Sequence, residues 1–273
     1  QLFGVYITNF SCGPDSFLLG YFRDIMGSKP SLTLELDSHS ADAGINTRIE
    51  AAIDIFRSFS KLKDSSSSND NLFIPIQISP NYEIYNHTKN KKYSLYDSEV
   101  KILLPSMGIM SSEAMRANFK YFGINSEVLP IYDHNTLKLG RGNTLCKECL
   151  PLQLCTGALV DYYNNKKNSE EISLFFMSAG NGPCRLGQYT VFLENFIKKN
   201  KLKNVGLFTL SDEDGYTGFG SDFFLRGWIA FVIADVFKNI ENALRVLAFN
   251  KNSALKIFKL EWEKIQEVIS SKP

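Results

Sequence analysis

Residues 172–210 read ISLFFMSAGNGPCRLGQYTVFLENFIKKNKLKNVGLFTL, and this stretch decides the fold class. It begins with an apolar strand at 172–177, continues through a helix at 189–199 and ends with a second apolar strand at 205–210. Both strands are nearly continuous apolar runs, which are typical of strands buried on both faces of a parallel sheet. The stretch therefore predicts a strand, helix, strand unit.

The same alternation extends along the rest of the chain. Its other predicted elements are strands at 5–7, 31–36, 102–105 and 127–131 and helices at 17–26, 45–59, 112–122, 151–163 and 223–237. Strands that alternate with helices favour a parallel sheet with helices on both faces. We therefore predict an α/β fold of this kind.

Composition divides the chain into segments. Residues 61–71 are rich in Ser, Asp and Asn, which is typical of a linker or a mobile loop. We predict a partial α/β lobe at 1–60, a linker and irregular segment at 61–100, an α/β lobe at 101–238 and a C-terminal helical tail at 239–273.

The overall charge argues against two classes of partner. The chain has 30 basic and 29 acidic side chains and a formal charge of +1, whereas nucleic acids and anionic membrane surfaces attract strongly basic proteins. Its longest apolar runs are too short to cross a bilayer. We therefore expect neither nucleic acid nor membrane as a partner. The chain opens on strand residues without a targeting segment, and we expect it to be a piece of a longer protein.

Cysteines are the main candidates for chemistry. Five in 273 residues are too few for a disulfide scaffold, and an odd number leaves one unpaired, so we expect a reducing, cytoplasmic compartment. Cys12, Cys149 and Cys184 lie beside Gly or Pro in loops that precede predicted helices. Such loops converge at the carboxyl ends of parallel strands, and three thiolates select zinc, Cu(I) or an iron-sulfur cluster. The alternative is that each is an inert core cysteine.

The other two cysteines carry weaker signals. Cys146 and Cys149 form a C-x-x-C pair, which on its own fits a redox dithiol or half of a zinc site. No second C-x-x-C or histidine pair completes a zinc motif. Cys155 lies within a predicted helix, where we expect it to be a core residue.

Several neighbouring polar residues have two interpretations. His39, beside Asp37, is either a solvated loop residue or part of a site. Glu148 and Arg185 adjoin the candidate ligands, so they either hydrogen-bond around a site or lie on the surface. The glycine-rich stretches at 140–142 and 215–220 match no phosphate-binding motif, and no nucleotide site is predicted from them.

Four motifs, in order along the chain, resemble one family. They are NFSCGPDSF at 9–17, ELDSHSADAG at 35–44, KECLP at 147–151 and GPCRLGQY at 182–189. The chain resembles the large CoA-substrate-specific enzyme activases, in a segment similar to the 2-hydroxyacyl-CoA dehydratase subunits and the double-cubane cluster proteins. The likeness spans nearly the whole chain.

The resemblance implies a cofactor and a fold. It implies two Rossmann-like lobes, with Cys12, Cys149 and Cys184 holding a 4Fe-4S cubane or a double-cubane 8Fe-9S cluster. It also implies that an ATP-hydrolysing activase domain or subunit delivers low-potential electrons to this part. Cys146 departs from the pattern, because a small residue is expected there. A fourth thiolate at Cys146 would complete a cubane and close the position open to substrate.

Three functions follow as hypotheses. The first is an iron-sulfur redox component of an ATP-driven low-potential reductase or dehydratase activase system, with a second copy of the chain or an acyl-CoA as further candidate partners. The second is a 2-hydroxyacyl-CoA dehydratase-like lyase that acts through a ketyl radical. The third is a non-catalytic α/β module with structural cysteines.

Overall fold

The structure, a computed structural model, describes residues 2–61, 73–79, 81–211 and 219–271. The chain forms two compact units, of which the first comprises Gln1–Leu72 and Thr144–Gln153 and the second Phe73–Asn143 and Leu154–Pro273. The Ser-rich linker prediction lies, apart from residue 61, outside the described residues, as does most of the glycine-rich stretch at 215–220. In the part of the chain that is described, none of the helices has the length and apolar character that a membrane span requires.

The elements of regular structure alternate through both units. In chain order they are β1 (Gly4–Thr8), α1 (Asp15–Met26), β2 (Ser31–Glu35), α2 (Asp42–Lys61), β3 (Gln77–Ile78), β4 (Ile84–Asn86), β5 (Lys91–Tyr93), β6 (Val100–Leu104), α3 (Ile109–Tyr121), β7 (Ser126–Val128), α4 (His134–Gly142), α5 (Leu150–Asn165), β8 (Ile172–Ala179), α6 (Tyr189–Lys199), β9 (Val205–Ser211), α7 (Ser221–Leu247) and α8 (Lys251–Ser270). A 3-10 turn at Arg185–Gln188 precedes α6.

A two-stranded parallel sheet forms the centre of the first unit. β1 pairs with β2 in parallel, and α1 is the crossover that this pairing requires. The ring of Phe22 in α1 lies 3.0 Å from the position that a Cβ on Gly4 would take, so a glycine at the start of β1 admits this close packing. All four elements from β1 to α2 overlap those predicted from the sequence.

A four-stranded parallel sheet forms the centre of the second unit. Its order is β7, β6, β8, β9, and every neighbouring pair is parallel. The chain moves outward in one direction from β6 to β7 and in the other from β8 to β9. The topological switch point therefore lies between β6 and β8. The predicted α/β, Rossmann-like fold with two lobes is confirmed.

Helices cover both faces of this sheet. Alternate residues such as Ile102, Leu174 and Phe208 belong to a core cluster that includes Phe119 of α3 and Phe223 of α7. The residues between them, Leu103 and Phe175 among them, are buried as well, and α6 contacts β8 and β9. Because crossovers in parallel sheets are right-handed, α3 and α6, which lead in opposite directions, cover opposite faces.

A small antiparallel sheet replaces part of the segment predicted as irregular. β3 pairs with β4, and β4 with β5. Its strands have two or three residues, too few to show the alternation by which strands are predicted. Ile84 and Tyr93 are buried in the core of the second unit, and Asn86 Nδ2 donates to Asn204 Oδ1 at 2.8 Å.

Helix α4 lies between the strand predicted at 127–131 and the helix predicted at 151–163, where the sequence pattern predicts no helix. The helix begins with a capping box. The Asp133 side chain accepts a hydrogen bond from the backbone N–H of Thr136, and the Thr136 side-chain oxygen accepts one from the backbone N–H of Asp133. Gly157 of α5 lies so close that an added Cβ would be 2.0 Å from the Thr136 carbonyl oxygen. The absent side chain therefore allows α4 and α5 to pack backbone to backbone.

The predicted C-terminal tail is helical and belongs to the second unit. Helix α7 runs without a break through the predicted boundary at residue 238, and α8 packs against α3 and α7. Trp262 of α8 is buried, and its Nε1 donates to Glu113 Oε2 at 2.6 Å. The apolar contacts of Trp262 and Phe258 with Ala230 and Ala234 make the tail part of the core.

Candidate functional site

Cys12 lies in the turn between β1 and α1, as predicted, and its side chain is exposed. The backbone of this turn is unusual, because Phe10, Ser11 and Gly13 all have positive φ angles, of 57°, 52° and 60°. Few residues other than glycine adopt such angles, and they recur where a chain must present a group in a fixed direction. The turn places Cys12 at the N-terminal end of α1.

Two motif residues after Cys12 fasten α1 to β1. The Asp15 carboxylate accepts hydrogen bonds from the Tyr6 hydroxyl, at 2.8 Å, and from the Thr8 hydroxyl. These donors lower the pKa of Asp15, with the Thr8 hydrogen bond as the larger cause. Ser16 is fully buried, and its hydroxyl donates to the Gly13 carbonyl at 2.7 Å. The Asp and Ser of this motif therefore hold the cysteine turn in place.

Glu35, at the carboxyl end of β2, connects two cysteine loops of the first unit. Its Oε1 accepts from the Ser11 hydroxyl at 2.9 Å, and Lys147 Nζ lies 3.9 Å from the same oxygen. Ser11 precedes Cys12, and Lys147 lies within the C-x-x-C pair. One carboxylate thus contacts side chains from both loops. The Lys147 contact is long and half-exposed, so it adds little stability.

Glu148 organises the loop that contains the C-x-x-C pair. Its side chain is only 5% exposed, and its carboxylate accepts from the backbone N–H groups of Leu145 and Lys147, each at 3.2 Å. Burial, and to a lesser extent the charge of Glu148, raise the pKa of Tyr21 in α1 to about 12. Of the two interpretations of Glu148, the structure supports the one in which it holds the loop around the cysteines.

The loop gives its two cysteines different settings. Cys146 is exposed and has a left-handed φ of 59°, whereas Cys149 is half-buried and lies immediately before α5. This loop joins α4 to α5, so Cys149 does not follow a strand as Cys12 and Cys184 do. Convergence at the carboxyl ends of strands therefore does not explain its position, and packing within the first unit does.

The turn after β2 is closed by its own side chains. Asp37 Oδ1 accepts from the His39 backbone N–H at 2.9 Å and from the Ser40 hydroxyl at 2.8 Å. The His39 residue is exposed. Aspartate and serine commonly close turns in this way. The structure therefore supports the interpretation of His39 as a solvated loop residue.

Cys184 belongs to the second unit and lies in the loop after β8. It is exposed and directly precedes the 3-10 turn at Arg185–Gln188. A Cβ added to Gly187 would lie 2.2 Å from the Gly180 carbonyl oxygen, so only glycine permits this fold of the loop. β8 borders the topological switch point, where open α/β sheets bind ligands. The loop that contains Cys184 therefore lies where open α/β sheets commonly bind ligands.

Cys155 is the cysteine with a core environment. It is 8% exposed, and its Sγ lies 3.5 Å from the Tyr132 hydroxyl. Burial is the largest cause of the raised pKa of Tyr132, and Cys155 adds to it. The prediction of Cys155 as a core residue is confirmed.

Three of the remaining cysteines share a common setting. Cys12, Cys149 and Cys184 are at least partly exposed and precede helices or turns. Among residues 2–61, 73–79, 81–211 and 219–271, no three histidine, cysteine, aspartate or glutamate side chains are grouped closely enough to hold a metal ion.

The residues that connect the cysteine loops were not predicted as site residues. Ser11 and Lys147 adjoin cysteines in the sequence, and Glu35 is the next-to-last residue of a predicted strand, but these positions alone do not indicate contact. The available signal was that all three fall within the motifs quoted above. Tyr21, in the middle of a helix, carried no signal.

Fold and site together define a class: a Rossmann-like α/β protein with exposed thiols in loops at the start of helices. Comparisons of the chain with protein-family models, with curated proteins and with solved structures find no match.

Proposed function

We propose that this chain is an iron-sulfur redox component with Cys12, Cys149 and Cys184 as cluster ligands. The observation that carries the proposal is the double contact of Glu35 with Ser11 and Lys147, since side chains from the loops of two of the three proposed ligands meet at one carboxylate. More than 130 residues lie between the two loops in the sequence, so their contact depends on the folded structure.

The exposure of two of the three thiols argues against a structural role. Inert cysteines are usually buried, as Cys155 is. Cys12 and Cys184 are exposed instead, in loops whose backbone is fixed by Ser16 and by Gly187. A fixed loop loses less conformational freedom when its thiolate binds iron. A bound cluster would supply one-electron transfer at a low potential.

Cys146 is proposed as an optional fourth ligand. It is exposed and only three residues from Cys149, and its backbone has a left-handed φ of 59°. If Cys146 is a ligand, a cubane has thiolates at all four irons and transfers electrons only. If it is not, one iron remains open to a substrate. The first case favours a redox component, and the second would allow a dehydratase-like reaction.

The proposed partners follow from this function. ATP hydrolysis can drive electrons to a low potential, so we propose an activase domain or subunit as the donor and an acyl-CoA substrate, or the enzyme that acts on it, as the destination. We propose a cytoplasmic location, because exposed thiols persist in a reducing compartment. A second copy of the chain is a further proposed partner.

The test is the iron and acid-labile sulfide content of protein purified without oxygen, with its visible spectrum. We expect about four or about eight irons per chain with matching sulfide. Cys149→Ser should lose most of the iron, and Cys155→Ala should retain it. Cys155→Ala is the matched control, because it removes a thiol that is buried and outside the proposed site.

Three results would oppose the proposal. Zinc in place of iron, or no metal after anaerobic reconstitution with iron and sulfide, would support a non-catalytic module. Equal iron loss in the two variants would show that Cys149 acts only through stability. Iron retained by Cys149→Ser but lost by Cys146→Ser would reassign the ligand within the same loop.

A further inference from the structure

Lysines are concentrated in three short segments of the second unit. Residues 86–92, 165–171 and 198–204 contain nine of the 22 lysines of the chain and only two acidic residues, Glu170 and Glu171. The first segment is the turn from β4 into β5, the second is the loop from α5 to β8, and the third is the end of α6 with the loop to β9. The other 252 residues contain 21 basic and 27 acidic side chains, so the formal charge of +1 is an average over two very different parts.

Hydrogen bonds and an ion pair bring the three segments together. Asn204 is 8% exposed; its Oδ1 accepts from Asn86 Nδ2, and its Nδ2 donates to the Ser169 carbonyl oxygen, both at 2.8 Å. Lys89 Nζ lies 2.7 Å from Glu170 Oε2. Because β8 and β9 are parallel and both begin here, the segments form one surface at the amino end of the sheet. We call it the lysine surface.

Most of these lysines are available to a partner. The Lys89 side chain is only 28% exposed and the Lys166 Nζ is buried, so these two are set back from the solvent. The other seven are exposed, namely Lys91, Lys92, Lys167, Lys198, Lys199, Lys201 and Lys203.

Local contacts do not neutralise this charge. Lys91 and Lys92 pair with exposed carboxylates, each at 3.2 Å, and such pairs are weak. Four more side chains have no ion pair with a carboxylate among the residues that the structure describes: Lys167, Lys198, Lys201 and Lys203. The carboxyl ends of α5 and α6 offset only about half a charge each. Surfaces that serve solubility alone intersperse both signs of charge, whereas a field of one sign attracts a partner of the opposite sign.

We propose that the lysine surface binds the phosphate backbone of a nucleic-acid duplex without selecting its sequence. A lysine ammonium is a compact charge that contacts phosphate oxygens, and such contacts supply essentially all of the non-specific binding to nucleic acids. The three segments contain no arginine, the side chain that most often reads guanine in the major groove. The expectation of no nucleic-acid partner rests on the overall charge, which does not describe this surface.

Other partners fit the lysine surface less well. Single strands stack their bases on exposed aromatic rings, but the only aromatic residue of the three segments, His87, meets the Tyr85 ring edge-on and lies 2.9 Å from Gln77 Oε1. Membrane-surface segments insert apolar side chains, and the only large apolar residue here, Leu202, is 8% exposed. Lysine is also depleted from interfaces between proteins.

The test is the fluorescence anisotropy of a labelled DNA duplex of about 20 base pairs, titrated with the whole chain at several salt concentrations. Each phosphate contact contributes about −0.9 to the slope of log affinity against log salt concentration. The four lysines without ion pairs therefore predict a slope of about −4, and an affinity about 100-fold lower at ~200 mM than at ~50 mM salt.

The variant that tests the surface removes three of its charges. The triple variant Lys167→Gln, Lys198→Gln, Lys203→Gln should reduce the size of the slope by about three, because it removes three phosphate contacts. The matched control is Lys251→Gln, Lys256→Gln, Lys259→Gln in α8, where three exposed lysines lie outside the lysine surface. The control changes the overall charge equally and should leave the slope unchanged. Both variants should retain the urea midpoint of the wild type, since all six lysines are exposed.

Several results would overturn the proposal. No binding at the lower salt concentration, or an equal loss in the two triple variants, would do so. Tighter binding of the single strand of the same sequence, of phosphatidylserine vesicles or of polyglutamate would also do so, since each identifies a different class of partner. The lysine surface lies at the amino end of β8, whereas Cys184 follows its carboxyl end. Duplex binding and iron content are therefore separate measurements, and either proposal can fail without the other.

Discussion

The two units of this protein are stabilised by different kinds of interaction. Among the described residues, the buried side chains of the first unit are five apolar ones and five polar ones: Phe17, Leu19, Leu34, Ala52 and Leu152, with Thr8, Ser11, Ser16, Glu148 and Gln153. The second unit buries many more apolar side chains, above all along β6, β8 and β9. The first unit therefore depends on hydrogen bonds of specific residues, and the second on apolar packing.

This difference explains where candidate chemistry is found in the first unit. Hydrogen bonds to buried polar groups fix a loop in one geometry, whereas apolar packing tolerates rearrangement as long as volume is retained. Glu148, Ser16 and Asp15 all act on loops or turns next to a cysteine. The polar contacts of the first unit therefore fix the loops and turns in which its cysteines lie.

The largest expected effect is a core substitution in the second unit. Phe119 has no exposed surface, and its ring lies 5.1 Å from that of Phe223 and 6.0 Å from that of Phe208. Phe119→Ala should lower the free energy of unfolding by about 3–5 kcal/mol, since it removes a transfer contribution and leaves a cavity. Urea denaturation, followed by circular dichroism, measures this change.

The control for Phe119 is a phenylalanine in contact with solvent. Phe249, between α7 and α8, is fully exposed, and Phe249→Ala should change the free energy of unfolding by less than about 0.5 kcal/mol. A similar loss in both variants would contradict the assignment of Phe119 to the core that holds the second unit together.

A smaller effect is expected from the buried carboxylate of the first unit. Glu148→Gln keeps the shape of the side chain but replaces a charged acceptor of two backbone N–H groups with an amide. The cost should be about 1–3 kcal/mol, and it should be confined to the loop around the C-x-x-C pair. The measurement is the rate at which each cysteine is alkylated, resolved by peptide mass spectrometry.

The alkylation pattern separates a local effect from a global one. Glu148→Gln should accelerate labelling of Cys149, which is half-buried, and leave the rate at Cys184 unchanged. Glu50→Gln in α2 is the control, because Glu50 is exposed. Equal acceleration of labelling at Cys149 and Cys184 would mean that Glu148 stabilises the whole chain and not only its own loop. That result would contradict the proposed difference between the units.

The contrast between the units also accounts for what the sequence could predict. Long apolar strands such as β8 and β9 were predicted to within two residues at each end, because continuous apolar runs are a strong signal. Strands β3 to β5 were missed because they are too short to show a period. Helix α4 was missed because its first residues, Asp133 to Thr136, act through a cap and its glycines suggest a loop.

The sequence could predict the setting of each cysteine but not the contacts between their loops. Neighbouring Gly and Pro predicted that Cys12, Cys149 and Cys184 lie in loops, and a helical position predicted that Cys155 is a core residue. The contact of Glu35 with Ser11 and Lys147 depends on how residues 144–153 pack in the first unit. That packing joins segments far apart in sequence, which no local pattern encodes.

The smallest expected effect is a change in the pH dependence of stability. It tests the hydrogen bonds that Asp15 accepts in the first unit. The hydrogen bonds from Thr8 and Tyr6 stabilise the ionised form of Asp15, so its pKa in the folded protein lies below the ordinary value of 3.8. The unfolded chain then binds a proton more readily than the folded one. The stability from this interaction is fully present above pH 3.8 and is lost as the pH falls through the lower, folded pKa.

Asp15→Asn should therefore slightly reduce the loss of stability that occurs as the pH falls, and Asp54→Asn should not. Asp54 is the control because it is an exposed residue of α2 whose ion pair with Arg57 is open to solvent. The measurement is the urea midpoint of unfolding at several pH values below 5 for both variants and the wild type. A difference that persists unchanged at neutral and acidic pH would show that Asp15 contributes through its hydrogen-bond geometry and not through its charge.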